Sequence, residues 1–342
     1  DPLRVVIEHC RKTGQEIFWT MRMNDTHDSD ASNPLLISQL KQQHPEFLLG
    51  KKYMPPKRGA WTAVNYARKE IRDLVRRTVE EVATNYDIDG IELDFWRHPV
   101  FFQSTVNEQP VDDEERRLMS NLIRHIRHDL NAIGRKRRRP ILLSVKIPDS
   151  VEYCRAIGLD IEHWLAEGLV DFIVPGGYFQ FNQWTASVAL ARKYGVKIHA
   201  CLAENRIRDK SGKKSRASIE SLRARAFAAW VAEVDGIEMF NHFNTASPLW
   251  RELGDPSLLR TLPKTYFVSV QGLNKTRAYF PAQGYVALPT LTPDEPDKFT
   301  SKMTRSYELY IGDDLRAFPK LRAKLNLRVA SIDGRPPRLF WD

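Results

Sequence analysis

Cysteine is scarce in this sequence and forms no pattern. Three occur in 342 residues, Cys10, Cys154 and Cys201, far apart and odd in number. No disulfide framework or zinc-finger spacing can be built from them, and each is expected to be a buried small hydrophobe. Long apolar runs are also missing: none approaches the roughly 18 residues a membrane-crossing helix needs. There is no Gly-rich phosphate loop and no RNA-binding aromatic signature. Neither an initiating Met nor a secretory signal stands at Asp1. The chain opens inside a helical pattern, so it is expected to be an internal portion of a longer protein. Acidic residues are in deficit, 43 against 52 Lys and Arg, for a net charge of +9. That surplus raises nucleic acid as a partner. The densest basic run, Arg135 to Arg139, falls in a helix-to-strand loop and reads as solvated. Neither a nucleic-acid nor a membrane partner is expected.

With 42% hydrophobic and 28% charged residues, the composition is that of an ordinary globular protein. The chain is organised around YDIDGIELDFWRHP, residues 86–99. Asp89-Gly90 is a turn signal, and a strand-type run follows. Ile91, Leu93 and Phe95 share one face; Glu92, Asp94 and Trp96 share the other. Long helical patterns flank this strand on both sides, which is the alternation of a parallel sheet. In a (β/α)8 barrel the chemistry sits at the C-terminal strand ends. Asp94, Trp96, Arg97 and His98 are placed there.

Strands are predicted at residues 15–23, 91–96, 141–147, 170–178, 196–202 and 236–243. Helices are predicted at 65–85, 112–133, 160–168, 184–194, 218–234 and 248–262. These are six strand-helix units, whereas a closed barrel needs eight. The missing two are expected to precede Asp1. After Pro263, short strand-like runs at 265–270, 276–280, 285–288, 305–311 and 325–332 alternate with turns, the pattern of a small all-β domain. The expected fold class is α/β: a TIM barrel catalytic domain over 1–262 with a β-rich, sandwich-like accessory domain over 263–342.

Three stretches together carry a resemblance: DGIELD (89–94), WLAEGLVDFIVPGGY (164–178) and VDGIEMFNHF (234–243). They resemble the bacterial glycoside-hydrolase-like barrel proteins called family-10-like, over residues 15–262. The resemblance implies that the six strands are barrel strands three to eight, and that the chain cleaves glycosidic bonds. It also carries a catalytic role to Asp94. Two departures stand out: Gly176 replaces the family's glutamine, and Phe95 replaces an aspartate. A polysaccharide hydrolase of this kind would be exported from a bacterium, to the periplasm or beyond.

Glycoside hydrolysis asks for two carboxylates. Asp94 is the first candidate and Glu204, at the end of the fifth predicted strand, the second. Glu204 shares its phase with Ile198, Ala200 and Leu202, which should face the helices, so parity counts mildly against it. Glu238 has the inward parity but aligns with Glu92, one layer deeper, where carboxylates more often orient a lysine or arginine. Asp25 and Asp149 are further alternatives. Expected substrate contacts are Arg22, Asn24, Glu92, Trp96, Arg97, His98, Lys146, Tyr178, Asn205, Glu238 and His242. Among aromatics near the strand ends, Phe181, Trp184 and Phe243 suit sugar stacking or packing equally. Arg22, Arg97, Lys146, Arg206 and Arg208 suit either a preference for an acidic glycan or a role as counter-ions for Glu92, Asp94 and Glu204; a positive surplus left over from that pairing predicts the acidic glycan. No cofactor is expected. His27, His98, His199 and His242 with Asp25 support a rival reading as a metal-dependent barrel lyase or aldolase, although no metal-ligand spacing is recognised. A third reading is a non-catalytic carbohydrate-binding barrel. Oligomeric state is not legible.

Overall fold

In the computed structural model, the structure describes residues 1–30, 34–177, 180–203, 210–267, 279–282, 284–289, 291, 296–298, 300 and 303–327. Six strands form one parallel sheet in sequence order: β1 (Phe18–Arg22), β2 (Gly90–Asp94), β3 (Leu142–Ile147), β4 (Phe172–Gly177), β5 (Lys197–Leu202) and β6 (Gly236–Met239). Helices Lys69–Asn85, Asp113–Arg137, Ile161–Ala166, Trp184–Tyr194 and Ile219–Val231 fall in the connections. The sheet is strongly curled: Lys146 on β3 reaches Glu238 on β6 at 2.5 Å, three strands away. Among the described residues β1 and β6 have no further strand partner, so the sheet is a half-barrel, the layout of a partial TIM barrel.

Strand parity sorts the core. Ile91, Leu93, Leu143, Val145, Ile173, Ile198, Ala200 and Leu202 face outward into the main cluster. They meet the stripe Ile71, Val75 and Val79 of helix Lys69–Asn85 and the stripe Met119, Ile123, Ile126 and Leu130 of helix Asp113–Arg137. Each fully buried aliphatic chain contributes about 1.5–3 kcal/mol. These stripes hold the helices in place far more than their exposed ion pairs do. The opposite parity faces the barrel interior, where Val174, Cys201 and Ala203 gather with Phe172 and Phe240. Cys154 and Cys201 are buried and Cys10 is half-buried, all with free thiols.

One device recurs at the N-terminal strand ends. Asp89, Asp171 and Asp235 each accept a hydrogen bond from the backbone N–H that opens the preceding strand: Ile17 (2.8 Å), Leu143 (2.6 Å) and Ile198 (3.0 Å). Each also pairs with basic residues, among them Arg11, Arg127 and Arg192. The glycine after two of these aspartates belongs to its strand and not to a turn. A side chain at Gly90 would strike the ring of Phe18, its register partner, and one at Gly236 would strike that of His199. The rings of Phe18, Phe172 and His199 pack across the barrel floor, edge-on and tilted, in the space those glycines leave.

The structure departs from expectation in places. The helix expected over 248–262 is two short ones, Leu249–Glu252 and Pro256–Thr261, because Asp255 starts a new N-cap before Pro256. Helices Gln103–Val106, Val151–Ala156 and Lys210–Arg216 were not expected. Among the described residues no strand lies beyond Met239. The run at 285–288 gives its backbone to the barrel: Ala287 N and Leu288 N both donate to Phe181 O. The run at 305–311 forms no strand. The runs at 265–270, 276–280 and 325–332 lie partly outside the described residues. In the basic run, Arg139 pairs with Asp87 at the N-terminal strand ends, away from the C-terminal ends. Among the described residues no helix is long and apolar enough to cross a membrane.

Candidate active site

Asp94 closes β2. Its Oδ1 accepts from the backbone N–H of Trp96 (2.9 Å) and Arg97 (3.0 Å). This side chain-to-backbone turn takes the chain out of the pleat. Trp96 therefore leaves the inward phase and is buried between Phe181 and Tyr279, with ring centroids 6.4 and 6.3 Å away. It braces the rim from behind, and Phe181 shares that packing. Asp94 itself is 1% exposed, and its Oδ2 has no hydrogen-bond partner among the described residues. Burial pushes its carboxyl up from the ordinary range, against the pull of Lys146.

One layer deeper, Lys146 Nζ lies 2.9 Å from Glu92 Oε1 and 2.5 Å from Glu238 Oε1, with the face of Phe240 at 5.0 Å. Thr20 Oγ1 donates to the same Glu92 oxygen at 3.1 Å. Burial would lower the Lys146 pKa, but Glu238 and Glu92 outweigh it and the ammonium is held charged. Glu238 behaves oppositely: burial, then the charge of Glu92, push it up to about 7. Its Oε2 has no partner among the described residues. Asp94, Lys146 and Glu238 line one cleft of about 580 Å³ together with Trp19, Arg22 and Phe240.

A hydrogen-bonded chain runs along the rim beside it. Arg22 donates to Asp25 Oδ2 at 2.8 Å. His27 donates to Asp25 Oδ1 from its backbone and its ring, and Arg97 Nη2 donates to His27 Nε2 at 2.6 Å. Although burial alone would raise Asp25, Arg22 and His27 hold it well below the usual carboxylate range. The ligand-type atoms of Asp25, His27 and His98 lie within 4.8 Å of one another. Their protons do not suit a metal. Guanidinium cannot accept a hydrogen bond, so His27 Nε2 is the acceptor and Nδ1 carries the proton that Asp25 takes. His98 Nδ1 accepts from Thr26 N at 3.2 Å, which places its proton on Nε2. An ion bound on the remaining nitrogens would have to displace both protons.

Other expected site residues are placed elsewhere. Asn24 is buried, donating to Val64 O and Val100 O and accepting from Val64 N, so it clasps two loops. His199 lies on the barrel floor against Phe172, and His242 packs edge-on to Trp250 beyond β6. Trp184 is buried and Phe243 is exposed. Tyr178, Glu204, Asn205, Arg206 and Arg208 lie outside the described residues. Asp149 does not face the cleft. Both its oxygens accept from Phe181 N and Oδ2 also from Asn182 N, all at 3.0 Å, and burial pushes its carboxyl up to about 6. Asp149→Ala should cost about 2–4 kcal/mol by orphaning those buried donors, read as a lowered denaturant midpoint. An unchanged midpoint would mean the loop holds without this pin.

The sequence reading missed Phe240, Trp19 and Met21 as cleft residues. Phe240 shares the inward parity of Glu238, so alternation alone could have found it. Trp19 and Met21 are on the outward phase of β1 and reach the cleft only because β1 is an edge.

No family model matches the sequence, and no curated protein matches it. Solved structures do resemble it. The chain is similar to the PgaB (BpsB) glycoside hydrolase domain from Bordetella bronchiseptica, with 10% identity, 69% of this chain and 73% of that one covered, and TM-score 0.43. It is similar to α-L-fucosidase isoenzyme 2 from Paenibacillus thiaminolyticus, with 14% identity, 68% and 35% covered, and TM-score 0.41. It is also similar to a glycoside hydrolase family 18 N-acetylglucosaminidase from Paenibacillus barengoltzii, with 20% identity, 40% and 46% covered, and TM-score 0.30. The match spans less than half the length of the last two. At TM-scores below 0.5, none of these carries an argument about the activity of this chain.

Proposed function

We propose that this chain is a glycoside hydrolase whose two working carboxylates are Asp94 and Glu238. The observation that carries the reading is their pairing: each has one oxygen without a described partner, Asp94 Oδ2 and Glu238 Oε2, and both residues line a single cleft where parallel barrel strands end. Glu238, raised to about 7, keeps a proton to give to the leaving glycosidic oxygen. Asp94, beside Lys146, supplies the electron pair, to the anomeric carbon directly or to a water that attacks it. Glu204, the partner favoured from sequence, lies outside the described residues, and the strand phase it would continue belongs to the outer core. Glu238→Gln should lower kcat/KM about 10²-fold, with Glu204→Gln much milder. The reverse order restores Glu204. For the wild-type protein, kcat/KM should fall as pH rises through about 7, when Glu238 loses its proton. It should fall again in acid, where Asp94 becomes protonated. A profile flat from pH 5 to 9 would exclude the pair.

The lyase or aldolase reading rests on the Asp25–His27–His98 group, whose tautomers oppose a metal. A carbohydrate-binding barrel without catalysis would retain polysaccharide and never release reducing ends. The substrate reading shifts with the structure: Arg22 and Lys146 each have a carboxylate within 2.9 Å, and Arg97 is turned to His27. The described rim thus has no free surplus of positive charge to focus on an acidic glycan, and we assign a neutral saccharide. Matched neutral and uronate-containing oligosaccharides at low salt should be cleaved with the neutral one at least as fast. A clear acidic preference, lost toward about 0.5 M salt where screening is short-ranged, would return the role to Arg206 and Arg208. Export from a bacterium, and an accessory role for residues 263–342, belong to the same proposal.

A further inference from the structure

Three acids and one base share the barrel centre. The groups facing Glu238 are Glu92 and Asp94 from β2, Lys146 from β3, Cys201, its register partner on β5, and Arg22 across the cleft. Glu92 does not line the cleft, yet its Oε1 takes hydrogen bonds from both Thr20 and Lys146. Lys146 is 3% exposed and fixed on three sides by Glu92, Glu238 and the ring of Phe240. A lone buried Lys-Glu pair would settle as a permanent ion pair, and Glu238 would have no proton to give. A second carboxylate on the same ammonium changes that balance, because one positive charge cannot neutralise two.

We propose that Glu92 and Lys146 are positioning residues for Glu238. Lys146 grips Oε1, so that Oε2 is the oxygen left for the cleft, and the charge of Glu92 keeps the proton on Glu238. The inference rests on Glu238 being the proton donor. In the step it serves, the Oε2 proton passes to the glycosidic oxygen and the electron pair of the breaking C–O bond stays on that oxygen. The charge left on Glu238 meets the ammonium already 2.5 Å away. Where water is the nucleophile, its oxygen bonds to the anomeric carbon as the C–O bond breaks, the proton it loses is taken by Asp94, and exchange with solvent resets both carboxyls.

Glu92→Gln tests this cleanly, since the amide oxygen still accepts from Thr20 while the charge is gone. The side-chain carboxyl carbons are followed by NMR against pH in the substrate-free protein, and the Glu238 signal is assigned by its loss in Glu238→Gln. Its midpoint should fall by about one pH unit in Glu92→Gln. It should rise in Lys146→Gln and stay in place in Thr20→Val, which alters packing without charge. The alkaline limb of kcat/KM should move with it while KM holds. An unmoved midpoint in Glu92→Gln overturns the proposal; if that variant does not fold, an unmoved midpoint in Lys146→Gln overturns it instead. A midpoint that shifts as stated while Glu238→Gln remains fully active keeps the linkage among the three groups and removes Glu238 from catalysis.

Discussion

Asp94→Asn is expected to lower kcat/KM toward the upper end of the 10²–10⁴-fold range for removing a general base or acid, with little change in stability. The two halves of this carboxylate do different work. Oδ1 ends β2 by accepting from Trp96 N and Arg97 N, and the asparagine oxygen can take over both bonds. Oδ2 is the buried atom without a described partner at the cleft. Replacing it by NH₂ removes the charge and the electron pair that the reaction needs. The thermal midpoint should stay within a few degrees, because the turn, the packing of Trp96 and the volume are conserved. Separating the readouts matters here. A large loss of activity with a collapsed midpoint would show only that the rim had come apart, and near-wild-type turnover would rule Asp94 out of the chemistry altogether.

Much of the fold was legible because the barrel imposes two periods at once. Apolar alternation in β2, β3 and β5 and the stripe on helix Lys69–Asn85 each point to one buried face, and the structure buries those faces together. The parallel order also followed, since a helix stands between successive strands. What alternation cannot give is where a strand stops. Residues 236–243 read as continuous strand, but β6 ends at Met239. Asp89-Gly90 reads as a turn signal because local chemistry favours that. The true reason for the glycine is non-local: Gly90 and Gly236 clear room for the rings of Phe18 and His199 on neighbouring strands. The β-like texture after Pro263 reflects short apolar runs between Gly and Pro. In the described part these runs serve as packing against the barrel, with Tyr279 on Trp96 and Phe280 O accepting from Tyr153.

The site was legible to the depth of one strand. Parity put Glu92, Asp94, Lys146 and Glu238 on the inner face, and all four are near one another. Beyond the strand ends parity fails, because an end residue can bond to its own following backbone, as Asp94 does. Trp96 is the plain case: its inward phase was cancelled by the two bonds to Asp94 Oδ1. Asn24 and Asp149 looked like ligands for the same reason that they are not. A buried polar side chain must be satisfied, and loop backbone satisfies both. The positive surplus of the whole chain said nothing about the rim, where each described cation already faces a neighbour chosen by the fold.

The second large effect concerns Lys146. Lys146→Met should cost about 3–5 kcal/mol at neutral pH, the range for stripping one partner from a buried ion pair. It sits at the upper end of what single substitutions do, because two carboxylates lose their counter-charge together. Met is close to Lys in length and can keep the packing on Phe240, so the loss is electrostatic. The sign with pH follows. The folded-state pKa of Lys146 is raised, so its own contribution is fully present below the ordinary lysine range and fades only in strong alkali. In the variant, Glu238, already raised by burial and by the charge of Glu92, takes up a proton more readily in the folded state than in the unfolded one, and that stabilisation is lost as pH rises through its folded pKa. The deficit against wild type should therefore shrink from pH 7 toward pH 4, measured as denaturant midpoints at each pH. Adding Glu238→Gln to Lys146→Met should recover part of the neutral-pH loss, an interaction energy that a double-mutant cycle reads directly. A deficit that stays constant with pH, or a cycle that closes to zero, would mean that Lys146 supports the barrel through packing and that its two short contacts contribute nothing to the fold.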